Sequence, residues 1–180
     1  MDETSVNLWQ YRRRMWMPSE QAIKVPQSKD RGSGITIIGA ISNKRPDMVY
    51  LLAESTNKQA TKDFFLKMNR QWAGVHEAVI VMDNHPAHHS HLVEDCLNNI
   101  EVDCLFLPPN SSPLNPIERV WGTLKHWWKT YLISNGGKTT PEQFRFKLEQ
   151  VIRENVQNTA GEYWRSNLKD CSRVLSGNLV

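Results

Sequence analysis

Apolar positions recur along the chain with two periods, and the changes between them mark out the elements. After the turn signal Gly32-Ser33-Gly34, the run from Ile35 to Ile41 is rich in β-branched residues and predicts a strand. Met48 to Leu52 predicts a second strand, joined to the first through a Ser42–Asp47 turn, so the two form a hairpin. From Asn57 to Trp72 the period lengthens, with Ala60, Phe64, Phe65, Met68 and Trp72 at helical spacing. Ala78 to Asp83 is a short apolar run ending in a carboxylate, which suits a buried strand. His89 to Asn98 predicts a helix, and Val102 to Leu107 predicts a strand stopped by Pro108-Pro109. From about Pro116 to Tyr131 a further helix places Ile117, Trp121, Leu124, Trp128 and Tyr131 on one buried face, at ~100° per residue. Thr140, Pro141 and Gln143 have the form of an N-cap, a first-position proline and a capping box, opening a helix that runs to about Val156. A last helix carries Trp164, Leu168, Cys171 and Leu175 on one stripe. Strands first, then alternating helix and strand, then helices, imply an α/β fold with helices on the faces of a mixed sheet. Periodicity also assigns Trp121, Trp127, Trp128 and Trp164 to the core rather than to base-stacking platforms.

Composition narrows the class. The 180 residues suffice for one domain with a real core, and 39% hydrophobic with 23% charged residues is an ordinary soluble balance. No apolar run approaches ~20 residues, and no apolar segment of signal-peptide type follows Met1-Asp2-Glu3, so no membrane span and an intracellular location are expected. Cys96, Cys104 and Cys171 stand far apart with no C-x-x-C pair, which predicts three reduced, partly buried thiols rather than a zinc ribbon or a disulfide framework. The net charge of +3 is concentrated. Tyr11 to Arg31 holds six Lys/Arg against two Asp/Glu, and Arg119 to Lys147 holds six against one. Such stretches suit a phosphate backbone, and equally a solvated surface.

Three carboxylates stand out by position. Asp83 ends an apolar strand, where an acid faces a cleft, although Asp-Asn also makes a turn or a cap. Glu118 follows Asn115-Pro116-Ile117, in which Asn115 can cap and Pro116 can open the helix, so the acid falls in a first turn favoured by the helix dipole. Glu118, Gly122, Lys125 and Lys129 share a face beside the buried one, which leaves room for metal and phosphate one turn from a residue without a side chain. Asp2, opening Asp-Glu-Thr-Ser, carries no signal of its own. His85, His88, His89 and His91 cluster without a second ligand group at zinc spacing.

Together these segments resemble the catalytic domain of mariner-type DDE transposases and their bacterial insertion-sequence relatives. The motifs are Asp2-Glu3 with Trp16 downstream, Val81-Met82-Asp83-Asn84 with His88 beyond, and Leu107-Pro108-Pro109-Asn110-Ser111-Ser112-Pro113-Leu114-Asn115-Pro116-Ile117-Glu118 ending on Trp121. The last is similar to the family's LPPYSPxLNPIExxW signature, with Asn110-Ser111-Ser112-Pro113 where the family has Tyr-Ser-Pro. Thirty-four residues separate Asp83 from Glu118, the family's spacing when its third acid is Glu.

The resemblance implies an RNase H-like fold, a mixed central β-sheet flanked by helices, as one catalytic domain over residues 1–180. It implies that Asp2, Asp83 and Glu118 bind two Mg²⁺ or Mn²⁺ ions, with Asn84, His88, Arg119, Lys125 and Lys129 as supporting or DNA-contact residues. It further implies double-stranded DNA as partner, both transposon ends and target, and a homodimer by analogy, in the nucleus of a eukaryotic host or the cytoplasm and nucleoid of a bacterial one. In the family the first acid ends a central strand and a helix-turn-helix region comes earlier. Here only Met1 precedes Asp2, so a truncated first strand and a missing DNA-binding region are expected, as is weak activity from this chain alone. Two alternatives remain open: a truncated or domesticated non-catalytic DNA- or partner-binding remnant, and another RNase H-like nuclease acting on RNA–DNA hybrids.

Overall fold

The computed structural model describes residues 1–8, 10, 34–73, 75–109, 111, 114–135, 139–158, 160 and 162–164. The basic stretch from Tyr11 to Arg31 and the stripe Leu168, Cys171 and Leu175 lie outside them.

Three strands form an antiparallel meander: β1 (Asp2–Val6), β2 (Ile35–Ala40) and β3 (Val49–Ala53), with β2 in the middle. β2 and β3 are the predicted hairpin, paired from Thr36↔Ala53 to Ala40↔Val49. β1 pairs with β2 from Asp2↔Gly39 to Val6↔Ile35. A second sheet pairs β4 (Val79–Met82) in parallel with β5 (Asp103–Phe106). The two sheets meet where the Met1 amino nitrogen donates to Val81 O, so β1 reaches β4 at its first residues. The order of elements keeps the predicted mixture of antiparallel and parallel strands, but the sheet is in two pieces rather than one continuous ladder.

Because β2 is covered on both faces, its side chains alternate between two cores. Ile37 joins Val6, Tyr50 and Leu52 beneath α3 (Ile117–Ser134) and α4 (Pro141–Asn155). Ile38 joins Val49, Met82 and the buried faces of α1 (Lys58–Gln71) and α2 (His91–Asn99). The result is helix, sheet, helix. The exposed edge of β3 is closed by side chains, with Lys67 Nζ donating to Tyr50 O at 2.6 Å and Arg145 to Leu52 O at 2.9 Å.

Several local expectations shift. The α2 helix begins at His91 because Pro86–His89 forms a separate 3-10 turn, with His85 Nδ1 accepting from Ala87 N. Thr140 occupies the N-cap of α4 without a side-chain cap bond, so no capping box forms. Pro116, not Asn115, is the N-cap of α3, since the Asn115 side chain is used elsewhere. Trp121 and Trp128 are fully buried and Trp164 partly so, but Trp127 is 41% exposed and is not core. Cys96 is buried and Cys104 half-buried, both free; Cys171 is outside the described residues. No helix among the described residues is long and apolar enough to cross a membrane.

Candidate metal centre

The first residues of β1 are fastened from three sides. Met1 is buried, its amino nitrogen on Val81 O and its carbonyl accepting from Asn115 Nδ2 at 3.0 Å. Asn115 also gives its own carbonyl to Glu118 N at 3.1 Å, so one residue ties the start of α3 to the start of β1. Asp2 Oδ2 accepts from Trp121 Nε1 at 3.0 Å. The indole can lie there because Gly39, opposite Asp2 in the ladder, has no side chain: a Cβ would stand 2.6 Å from Trp121 Cη2. Asp2 opens the strand and is held by these cross-chain bonds.

Burial pushes the Asp2 carboxyl up to about 6, and the charges of Glu3 and Glu118 add to the push. Hydrogen bonds from the Glu3 backbone and from Trp121 act the other way without cancelling it. The folded chain thus holds this proton better than the unfolded one. The associated stability is fully present below the ordinary value of 3.8 and is lost as pH rises through about 6. Asp2→Asn is therefore expected to leave metal-free stability unchanged near pH 4 and to raise it by about 1–2 kcal/mol above pH 7, after discounting for solvent screening. Urea unfolding in a chelator across that range measures it, and a gain independent of pH would contradict the assignment.

Asp83 follows β4, with its side chain 48% exposed. Its Oδ1 accepts from His85 N at 3.1 Å and lies 3.3 Å from His88 Nδ1. His88 is buried. Its Nδ1 donates to the Asp83 carbonyl at 3.1 Å, and its Nε2 reaches Glu3 Oε1 at 2.9 Å. A carbonyl only accepts, so Nδ1 carries hydrogen; an ionised Glu3 requires the same of Nε2. Burial disfavours the charge on His88, but the hydrogen bond and charge of Glu3, with Asp83 behind, outweigh it and the pKa rises. The Asn84 side chain bridges Leu107 O at 2.7 Å and His89 Nε2 at 3.2 Å, tying the ends of β4 and β5 together.

On α3, Glu118 stands half-buried in the first turn, with Arg119 exposed beside it and Lys125 and Lys129 half-buried further along. Gly122 sits among them. A Cβ there would meet nothing within 4 Å, and glycine inside a helix costs about 1 kcal/mol relative to alanine, so packing gives no reason for it.

The fold brings Asp2 and Glu118 within electrostatic reach and links Asp83 to β1 through His88 and Glu3. Among the described residues, the group whose ligand atoms all lie within 4.8 Å of one another is Glu3, Asp83 and His88, and Asp2 and Glu118 stand outside it. Glu3 was not singled out by sequence as a site residue. Strand alternation is the only local signal, since it turns Asp2 toward α3 and Glu3 toward His88.

The family model for DDE superfamily endonucleases matches residues 1–139. The chain belongs to that family. Solved structures similar to this DDE domain include "Mos1 transposase paired-end complex with left transposon end", at 15% identity and TM-score 0.63, covering 96% of this chain and 51% of that one. Another is "Crystal structure of the Mos1 mariner paired end complex with Mn", at 15% identity and TM-score 0.58, covering 93% and 50%. A simian T-cell lymphotropic virus intasome in complex with a PP2A regulatory subunit is similar at 14% identity and TM-score 0.53, covering 84% and 60%. The expected RNase H-like class of fold is thereby met. This DDE chain spans about half the length of the Mos1 chains it resembles. No curated protein matches it at a significant level.

Proposed function

We propose that this chain is the catalytic domain of a mariner-type transposase, which cuts transposon-end DNA and joins the freed 3′-hydroxyl to target DNA. The observation carrying the reading is the stitching of Asp2 to Glu118 through Asn115 and Trp121, with the Asp2 carboxyl pushed up by burial and by its acidic neighbours. Carboxylate oxygens are the donors a hard divalent cation takes, and the charge of Glu118 is felt at Asp2, which together with the family motif supports Asp2, Asp83 and Glu118 as holders of two Mg²⁺ or Mn²⁺ ions. Held by these carboxylates, divalent cations would supply Lewis-acid activation of a water or a DNA 3′-hydroxyl and charge stabilisation of the leaving oxygen.

The chain's residues supply the positioning. Trp121 and Asn115 hold Asp2 and the start of α3, while His88 and the His85 amide fix the rotation of Asp83. Asn84 braces the loop after β4. The paired-end assemblies named for the Mos1 structures support a homodimer acting on two ends.

The direct test is nicking of a supercoiled plasmid carrying the DNA that flanks this chain's gene. Nicking that needs Mg²⁺ or Mn²⁺ is expected when the domain is tested within the full-length transposase, and weaker nicking from this chain alone; a full-length protein inert in both ions would count against the reading. Cation binding to the folded chain alone also stabilises it by mass action, by about 2.7 kcal/mol at a hundredfold excess over Kd. Several degrees of rise in Tm is therefore expected with saturating Mn²⁺ at pH 7.5. The Asp83→Asn variant should lose most of it, and an equal rise in that variant would place the ion elsewhere.

A further inference from the structure

The β4–β5 pair is parallel, and parallel strands occur almost only where both faces are covered. One face is covered: Ile80, Met82, Cys104 and Phe106 turn toward α1 and α2. By strand alternation Val79, Val81, Asp103 and Leu105 turn the other way. There Val79 is 58% and Leu105 56% exposed, the only large apolar side chains of the described strands left open to water. The core beneath α3 and α4 takes residues from β1, β2 and β3 but none from β4 or β5. A cavity of about 860 Å³ opens beside the uncovered face, with Met1, Val79, Leu105 and Trp164 in its walls.

Trp164 stands at the boundary. It packs on the core beneath α3 and α4 and lines the cavity as well. Its Nε1 is buried with no hydrogen-bond partner among the described residues, and a buried donor needs an acceptor. The sequence runs on from this point. At 100° per residue Leu168, Cys171 and Leu175 fall on one stripe with Trp164, and from Arg165 to Val180 three cations stand against one acid. The uncovered face is complementary, with an apolar centre and the acids Asp103 and Glu77 at its border. A helix from Trp164 to Leu175 would reach about 16 Å, enough to cover four-residue strands about 13 Å long.

We propose that the segment from Arg165 to Leu175 lies as a helix on this face, with Leu168, Cys171 and Leu175 against Val79, Val81 and Leu105. It completes the second helical layer. Because Met1 lines the same cavity, the segment also backs the strand that carries Asp2. The placement does not depend on the DNA-cutting reading.

Cys171 reports it, since burial among apolar groups keeps a thiol protonated and unreactive. The full chain is alkylated at mildly alkaline pH, native and in urea, and label at each cysteine is read by peptide mass spectrometry. Native Cys171 should react at least about tenfold more slowly than in urea. Val79→Glu/Leu105→Glu should bring it to within about threefold of the unfolded rate, and Leu168→Glu should do the same from the other side of the contact. Cys96, buried in the core beneath α1 and α2, should stay protected in both variants and so report that the chain is folded.

A native Cys171 that reacts as fast as in urea overturns the proposal, and so does protection that survives both variants. Protection lost on dilution would give the face to the same segment of a second copy and overturn the placement within one chain.

Discussion

In the full-length protein, Asp83→Asn is expected to abolish metal-dependent strand cleavage, by more than about a thousandfold, and to leave the fold intact. Removing a residue that merely supports a metal ligand costs about 10–100-fold, so removing the ligand's charge should cost more. The replacement keeps its shape: an amide oxygen at the same place still accepts from His85 N, and the His88 bond to the Asp83 carbonyl uses main chain only. Half-exposure of the side chain limits the cost of change. Glu118→Gln should behave alike, losing the charge in the first turn of α3 and with it no more than about 1 kcal/mol of dipole interaction. The measurement is the nicking rate in Mg²⁺ set beside circular dichroism and Tm. Near-normal nicking by either variant would remove these acids from the mechanism.

His88→Ala is expected to have the next largest effect, and on two observables. Glu3, 11% exposed, would keep its charge and lose the partner that compensates its burial. Breaking a buried ion pair from one side costs about 3–5 kcal/mol, and partial access of water to Glu3 brings the expected loss to about 2–4 kcal/mol. Cleavage by the molecules that remain folded should fall about 10–100-fold, since the Asp83 carboxylate loses the ring that fixes its rotation. Replacing both partners, Glu3→Gln with His88→Gln, should recover most of the stability but not the rate, because no unpaired charge is left while the lock on Asp83 is altered. Wild-type stability and rate in His88→Ala would show that this buried bridge is incidental.

Much of the fold was legible because the chain changes period where its elements change. The β-branched run in Ile35 to Ile41 and the 3.6-residue spacing from Ile117 to Trp128 each report a local geometry, and both elements are present. β1 was the exception. Its sequence, Asp2 to Val6, is short and polar at every position but Val6, and it becomes a strand through pairing with β2, a tertiary fact that no local window contains. Asn115 misled for a similar reason. An Asn before Pro at a helix start is a natural cap, yet its amide is taken by Met1, 114 residues away. Trp127 followed the apolar spacing only loosely, and the helix turns it outward. Within the site, acids at strand and helix ends could be read as candidates from their positions. Glu3 could not be, because its partner is 85 residues distant and the bond exists only once β1 is laid beside the loop after β4.

The contact between Gly39 and Trp121 binds two distant positions into one inheritable unit. The indole fills the space where position 39 would carry a side chain, and the N–H of the same indole donates a hydrogen bond to Asp2. Drift at position 39 toward alanine has to wait for a smaller ring at 121, and a smaller ring without the N–H abandons Asp2. Each order of substitution passes through a state with either a clash at position 39 or an Asp2 that has lost its N–H partner, so in related sequences the two positions are expected to change together or not at all.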